Sequence, residues 1–304
     1  MTFSRVRPRL VLALVALVAT GLLVAKLVSS GSGPGAARAS TVDAHAIPHY
    51  QSGQLRRLLA ATEAASTASS KAELVSQGRA LFNDNAVAKT GQACVTCHTI
   101  GTTNADVGTI LHVNENGHTF GRDPISLIGV GKTAPYRWIG DVPTLQQQVI
   151  NTIRTFFKDG ATQSDATTTQ QAAALVAYLG QLRPPTTSFD QGTMSPAALR
   201  GEVLFQGKGA CIACHGGPLF TDNALHATLV PNRPGWDDPG APAPPGAFNT
   251  PTLRDIRNSA PYMHNGVFKT LKEVVHFYNT TSSIAPLGLT PQEEDDLVAY
   301  MEAL

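Results

Sequence analysis

The sequence predicts an all-α protein made of two tandem copies of one small helical domain, each carrying long irregular loops. Three observations lead there. Each half opens and closes on the same short helical signature, a 30-residue stretch repeats without a gap, and each half holds one Cys-x-x-Cys-His motif. With 304 residues the chain has room for two ordinary domains and a leader. Its 27 glycines and 20 prolines announce long irregular segments, while 42% hydrophobic residues suffice for cores. A net charge of +1 gives no basic face for nucleic acid.

In chain order, Arg5, Arg7 and Arg9 precede an apolar run from Leu10 to Val28, broken only by Thr20, Gly21 and Lys26. A positive flank before 19 such residues reads as a signal peptide or an uncleaved membrane anchor, residues 1–28. Residues 29–70, rich in Ser, Ala and Gly, read as a linker with one weak helix near Leu55–Ala65. The first domain is expected over 71–185. Gly78-Arg-Ala-Leu81-Phe82 opens it and Leu175-Val-Ala-Tyr178-Leu179 closes it. The second is expected over 190–304, between Gly201-Glu-Val-Leu204-Phe205 and Leu297-Val-Ala-Tyr300-Met301. Asp123–Thr152 aligns on Asn249–Tyr278 at a constant offset of 126, with Leu127, Ala134, Pro135, Tyr136, Gly140, Thr144, Leu145 and Val149 recurring.

All four cysteines lie in the two motifs, Cys94-Val-Thr-Cys97-His98 and Cys211-Ile-Ala-Cys214-His215. Zinc needs four converging ligands, and each motif offers three at most. Haem c needs this spacing: two thiols add across two vinyl groups, and the next residue on the same turn brings an imidazole to the iron. Two covalent haems follow, as does an export route, since haem c is attached outside the cytoplasm. Each half is then a cytochrome c-like domain whose covalent haem supplies the core that a loop-rich chain of this size lacks.

The copies are most informative where they differ. Leu271, Val274, Val275 and Tyr278 form a helical stripe in the second copy; the first has Leu145, Gln148, Val149 and Thr152. Gln148 is either the edge of a stripe or an amide placed in a haem pocket, where it would need partners. Trp138 aligns with His264 and is either a core aromatic or a group between two redox centres. The first domain contains no methionine, so its haem is expected to have a second histidine, His112 or His118, or an open sixth position, unless Met194 reaches in from the linker. The second offers Met263, His264, His276, Tyr278, Met301 and His226.

The arrangement resembles the bacterial di-haem cytochrome c peroxidases, including their relative that matures the tryptophan tryptophylquinone of methylamine dehydrogenase. Its most specific segment is Phe248-Asn-Thr-Pro-Thr-Leu-Arg254 followed by Ala260-Pro-Tyr-Met-His-Asn-Gly266. The resemblance implies that haem 1 meets hydrogen peroxide, that haem 2 stores or relays an electron, and that Trp138 lies between them with Gln148 in the first pocket. It implies a calcium ion held by the side chain of Asp123 and the carbonyls of Ser259 and Pro261. It also implies that His118, in Gly117-His118-Thr119-Phe120, is the displaceable sixth ligand of haem 1.

Two departures stand out. Lys158 occupies the place of the family's catalytic glutamate, so either Asp159 beside it takes the role after a one-residue shift or peroxidase chemistry is weak or absent. Tyr278 stands where a methionine usually ligates haem 2, as in the quinone-maturing relative. Either Tyr278 is that ligand, or it belongs to the helix stripe and Met263 or nothing takes the iron. The expected activity is that of a periplasmic peroxidase-like oxidoreductase. Its expected partners are peroxide and an electron-donor protein, such as a small cytochrome or cupredoxin, or a protein substrate. Membrane anchoring and a homodimer are further expectations. The rival readings are a non-catalytic electron-transfer cytochrome and an oxidase that modifies a partner protein.

Overall fold

The computed structural model describes residues 41–43, 52–68, 70–98, 111–115 and 118–304. The fold is mostly helical. The Leu10–Val28 run lies outside the described residues, and among those described no helix is long and apolar enough to cross a membrane.

Strand β1 (Thr41–Asp43) precedes helix α1 (Ser52–Ala68), which covers the helix expected near Leu55–Ala65. It buries Leu58 and Thr62 and packs on α5 (Asp165–Leu179). Next come α2 (Lys71–Asn83) and the single turn α3 (Cys94–Cys97). Strands β2 (Leu111–Glu115) and β3 (His118–Arg122) then pair antiparallel, with β1 parallel on β2. α4 (Leu145–Phe156) and α5 complete the first half.

The short α6 (Ser188–Gln191) and α7 (Pro196–Gln206) open the second half. Strands β4 (Leu225–His226), β5 (Ala241–Pro242) and β6 (Pro245–Asn249) follow, in sheet order β4-β6-β5. α8 (Leu271–Thr280) and α9 (Pro291–Ala303) close the chain. The two small sheets correct the all-α expectation. They lie within the long stretches read as irregular, where backbone N–H and C=O groups away from helices need partners and find them across short strands.

Local chemistry sets the helix starts. Ser70, Thr144, Ser164, Ser195, Thr270 and Thr290 each accept a backbone N–H in the first turn. Thr270 and Thr290 do so within full capping boxes, with Glu273 and Glu293.

Among the described residues two large apolar cores result, with a smaller cluster of Leu74, Ala173 and Ala174 beside the first. One gathers Leu58, Phe82, Tyr136, Val149, Ile150, Ile153 and Leu175; the other gathers Phe205, Phe220, Leu253, Tyr262, Val275, Leu297 and Tyr300. Phe189, Phe205, Phe220 and Tyr300 meet edge to face in the second, with Phe205 and Tyr300 centroids 5.2 Å apart.

The helix crossings explain the glycine in each opening signature. A Cβ on Gly78 would stand 2.1 Å from the Ala174 carbonyl oxygen of α5, and one on Gly201 would stand 1.9 Å from that of Asp296 on α9. Only glycine admits backbones this close.

The 126-residue repeat is visible in the backbone as well. Tyr136 N–H donates to the Val142 carbonyl (2.7 Å), and Tyr262 N–H to that of Phe268 (2.8 Å). Arg137 and Met263 both take left-handed φ, 69° and 71°, as do Gly140 and Gly266, 62° and 63°.

Candidate functional site

Each Cys-x-x-Cys-His motif closes into one turn. His98 N–H donates to the Cys94 carbonyl and His215 N–H to that of Cys211, both at 2.9 Å. The shared spacing gives both that hydrogen bond, while the entry differs: Ala93 is extended and Ala210 is left-handed, with φ 52°. All four thiols are free and partly buried. Burial pushes Cys94 and Cys211 up to about 11, and raises Cys214 with Asp222 adding. Cys94 and Cys211 are therefore protonated at neutral pH.

Burial lowers His98 to about 4 and lowers His215, so both imidazoles are neutral and keep a lone pair for iron. His215 Nδ1 lies 2.9 Å from the Phe220 carbonyl, an arrangement that fixes the tautomer with Nε2 available; His98 Nδ1 is buried without a hydrogen-bond partner. This donor set fits two covalently attached haems, held by Cys94, Cys97 and His98 and by Cys211, Cys214 and His215.

Trp138 occupies the seam between the halves. Its indole N–H donates to the Asp123 carbonyl at 2.6 Å, its own carbonyl accepts from Asn249 N–H at 2.7 Å, and its ring meets His264 edge-on at 6.4 Å and 75°. His264 is 2% exposed and stacks on Phe248 at 3.6 Å and 8°. Burial lowers His264 to about 4, with Asp238 opposing and Arg122 reinforcing.

Gln148 lies on α4, half-buried. Its Oε1 accepts from Arg137 Nε at 2.9 Å, and its Nε2 donates to Thr152 at 3.3 Å. The amide's orientation is thus set by a neighbouring cation. Arg137 is aligned with Met263 and had no role in the sequence reading; the signal was its place immediately before the tryptophan. Lys158 and Asp159 both sit exposed in the turn after α4. Arg154 braces that turn, donating to the Gly160 and Gln163 carbonyls.

Asp123 is buried. Its N–H donates to the His264 carbonyl at 2.7 Å, which brings it to the Ala-Pro-Tyr segment of the second half. Pro261 there is buried and Ser259 half-buried. The side chains of His112 and His118 lie outside the described residues.

In the second half most ligand candidates have other duties. His276 is exposed and pairs with Glu294 (3.1 Å), His226 pairs with Asp222 (2.8 Å), and Met301 is buried in the core of α9. Tyr278 packs against the second core. Burial pushes its phenol up to about 12, with a Thr228 hydrogen bond opposing and the Cys211 and Cys214 thiols adding. The phenol is therefore within electrostatic reach of the second motif.

Comparison with known proteins agrees with this geometry. Residues 72–178 match the family model described as di-haem cytochrome c peroxidase. A cytochrome-c peroxidase, IdrP1, of Denitromonas iodatirespirans is 30% identical over 77% of this chain and 81% of its own length. The methylamine utilization protein MauG of Methylophilus methylotrophus is 27% identical over 76% and 82%. Among solved structures, a MauG-like protein associated with microbial copper homeostasis superposes with a TM-score of 0.62 at 23% identity, over 76% of this chain and 88% of its own. The di-haem peroxidase BthA of Burkholderia thailandensis superposes with a TM-score of 0.61 at 21% identity, over 76% and 86%. Two haem motifs in a duplicated helical frame, together with a relative of this identity and coverage, place the chain in the di-haem cytochrome c peroxidase family.

Proposed function

We propose that this protein is a periplasmic di-haem peroxidase in which two tandem cytochrome c-like domains handle oxidant and electrons separately. The observation that carries the reading is Trp138, fixed in the seam by Asp123, Asn249 and His264. When bound, haem 1 supplies an iron that takes and reduces hydrogen peroxide, and haem 2 supplies a second redox centre. Gln148 presents an amide whose direction is set by Arg137, so that it orients the oxidant's oxygen atoms. Arg137 also places a positive charge beside that site, where charge builds up as the O–O bond breaks. Asp159 is the nearest carboxylate in sequence to the missing glutamate, and its exposure makes it a relay to solvent rather than a buried acid. Trp138 passes oxidising equivalents between the halves. An electron-donor protein, a small cytochrome or a cupredoxin, supplies the electrons that consume them. A calcium ion at Asp123 and the Ser259 and Pro261 carbonyls would hold the seam, since hard oxygen donors suit it. The Leu10–Val28 segment exports the chain or anchors it.

Tyr278 favours a second reading, an oxidase acting on a partner protein. A phenolate on the haem 2 iron would favour its oxidised states, and the MauG relative shares much of this chain's length.

The test uses the di-haem holoprotein, whose denatured mass should exceed the polypeptide by two haems. Given peroxide and a small one-electron reductant, it should turn over, and Trp138→Phe should slow that turnover about tenfold. No peroxide consumption would leave an electron-transfer cytochrome. Consumption that is indifferent to Trp138 would remove the relay.

A further inference from the structure

The seam contains a second device that the motifs do not reveal. Arg122, the last residue of β3 in the first half, reaches a loop of the second half and makes a bidentate pair with Asp238, at 2.8 and 2.7 Å. The two side chains are 11% and 2% exposed. The guanidinium lies over two rings, 4.8 Å from the Phe120 centroid and 5.9 Å from that of Phe248. Asp238 in turn stands 3.8 Å from His264 Nε2.

The loop that carries Asp238 is tied to the residues following His264. Asn265 donates to the Pro231 carbonyl at 2.9 Å, Asp238 N–H to Asn232 Oδ1 at 3.3 Å, and Gly240 N–H back to Asp238 Oδ1 at 3.0 Å. Arg122 therefore touches Phe248 directly and reaches His264 through Asp238; His264 is the ring that meets Trp138 across the seam, and Phe248 stacks on its face.

We propose that the Arg122–Asp238 pair positions the tryptophan relay: it fixes the Phe248–His264 ring pair against Trp138, so electron exchange between the halves depends on it. This rests on the reading of Trp138 as a relay. Two physical arguments support it. A buried pair of this kind brings geometric definition more than net stability, because the desolvation of both charges offsets their attraction. A planar guanidinium gripped by two carboxylate oxygens also has one allowed orientation, which a lysine or an apolar contact would not impose.

The experiment is one-electron reduction of the di-ferric holoprotein by pulse radiolysis, following redistribution of the electron between the haems by absorbance. It needs no peroxide. Asp238→Asn strands a buried cation and can fail to fold, so the decisive variant is the apolar double, Arg122→Met with Asp238→Leu. Such replacements of buried pairs usually keep stability. The double variant should melt near the parent, show the parent's ferric spectra at both haems, and redistribute the electron about tenfold more slowly, the scale expected for a slightly misplaced group. Parent-like redistribution in the folded double variant would overturn the proposal, as would slowing accompanied by a changed spectrum at either haem. Trp138→Phe in the same experiment separates the two ideas. If it leaves the rate unchanged, the relay itself fails. If it slows the rate while the double variant does not, only the role of Arg122 and Asp238 fails.

Discussion

The two halves share a frame and differ in what they place on it. At the 126-residue offset, the first half has Arg137, Trp138, Gln148 and Thr152 where the second has Met263, His264, Val274 and Tyr278. The backbone scarcely changes: Arg137 and Met263 even share a left-handed φ. The first half thus holds a cation and an amide bonded to each other, while the second holds apolar side chains and a phenol. The lesson is that the duplicated frame supplies two haem supports, and a few side chains on one helix and one turn make them chemically unequal. A second contrast is structural. Arg254, buried and paired with Asp190, stands where the first half buries Ile128.

The largest effect should come from what the halves share. Gly78→Ala and Gly201→Ala each force a Cβ into a backbone carbonyl, at 2.1 and 1.9 Å. Each should cost about 3 kcal/mol, at the upper end of overpacking effects, read as a lowered denaturation midpoint. Tolerance at one site and not the other would show that the crossings are less alike than their geometry.

Copying the second half into the first gives a middle-sized effect. Gln148→Val should lower peroxide turnover about tenfold, as loss of an orienting group does, while stability stays within about 1 kcal/mol. Unchanged turnover would return Gln148 to the edge of the helix stripe.

The smallest effect concerns Asp190. Arg254 holds its carboxyl below the usual range, with the Thr187 backbone N–H adding. The folded pKa lies below the unfolded value of about 4, so this stability is present above that value and is lost as pH falls through the folded one. Asp190 is a third exposed, so Asp190→Asn should cost only about 1 kcal/mol at neutral pH. The deficit should shrink below about pH 4. A deficit independent of pH would assign it to packing.

What was legible in the sequence was local or periodic. α2, α5, α7 and α9 announced themselves by their repeated opening and closing signatures, α4 and α8 by the gapless repeat and the stripe of Leu271, Val274, Val275 and Tyr278, and the haem motifs by spacing alone. The register of the repeat was legible because it spans 30 residues without a gap. The strands were not, since β4, β5 and β6 are short runs among Pro and Gly with no alternating apolar pattern, and β4 pairs as far along the chain as Leu225 with Asn249. Arg122 and Asp238 lie 116 positions apart in segments with no shared pattern, so only the fold brings them together. The exposure of Lys158 and Asp159 was equally hidden, because it depends on how Arg154 braces the turn after α4.

The central claim is that the halves hold two unequal haems, the second with the Tyr278 phenol on its side of the molecule. Paramagnetic resonance combined with a redox titration of the holoprotein, parent against Tyr278→Phe, tests it most directly. The parent should show two distinct ferric signals. The variant should change one of them and raise that haem's potential, leaving the other in place, because a phenolate would no longer hold the iron in its oxidised state. Two equivalent signals in the parent, or a variant whose signals and potentials match the parent's, would contradict the account.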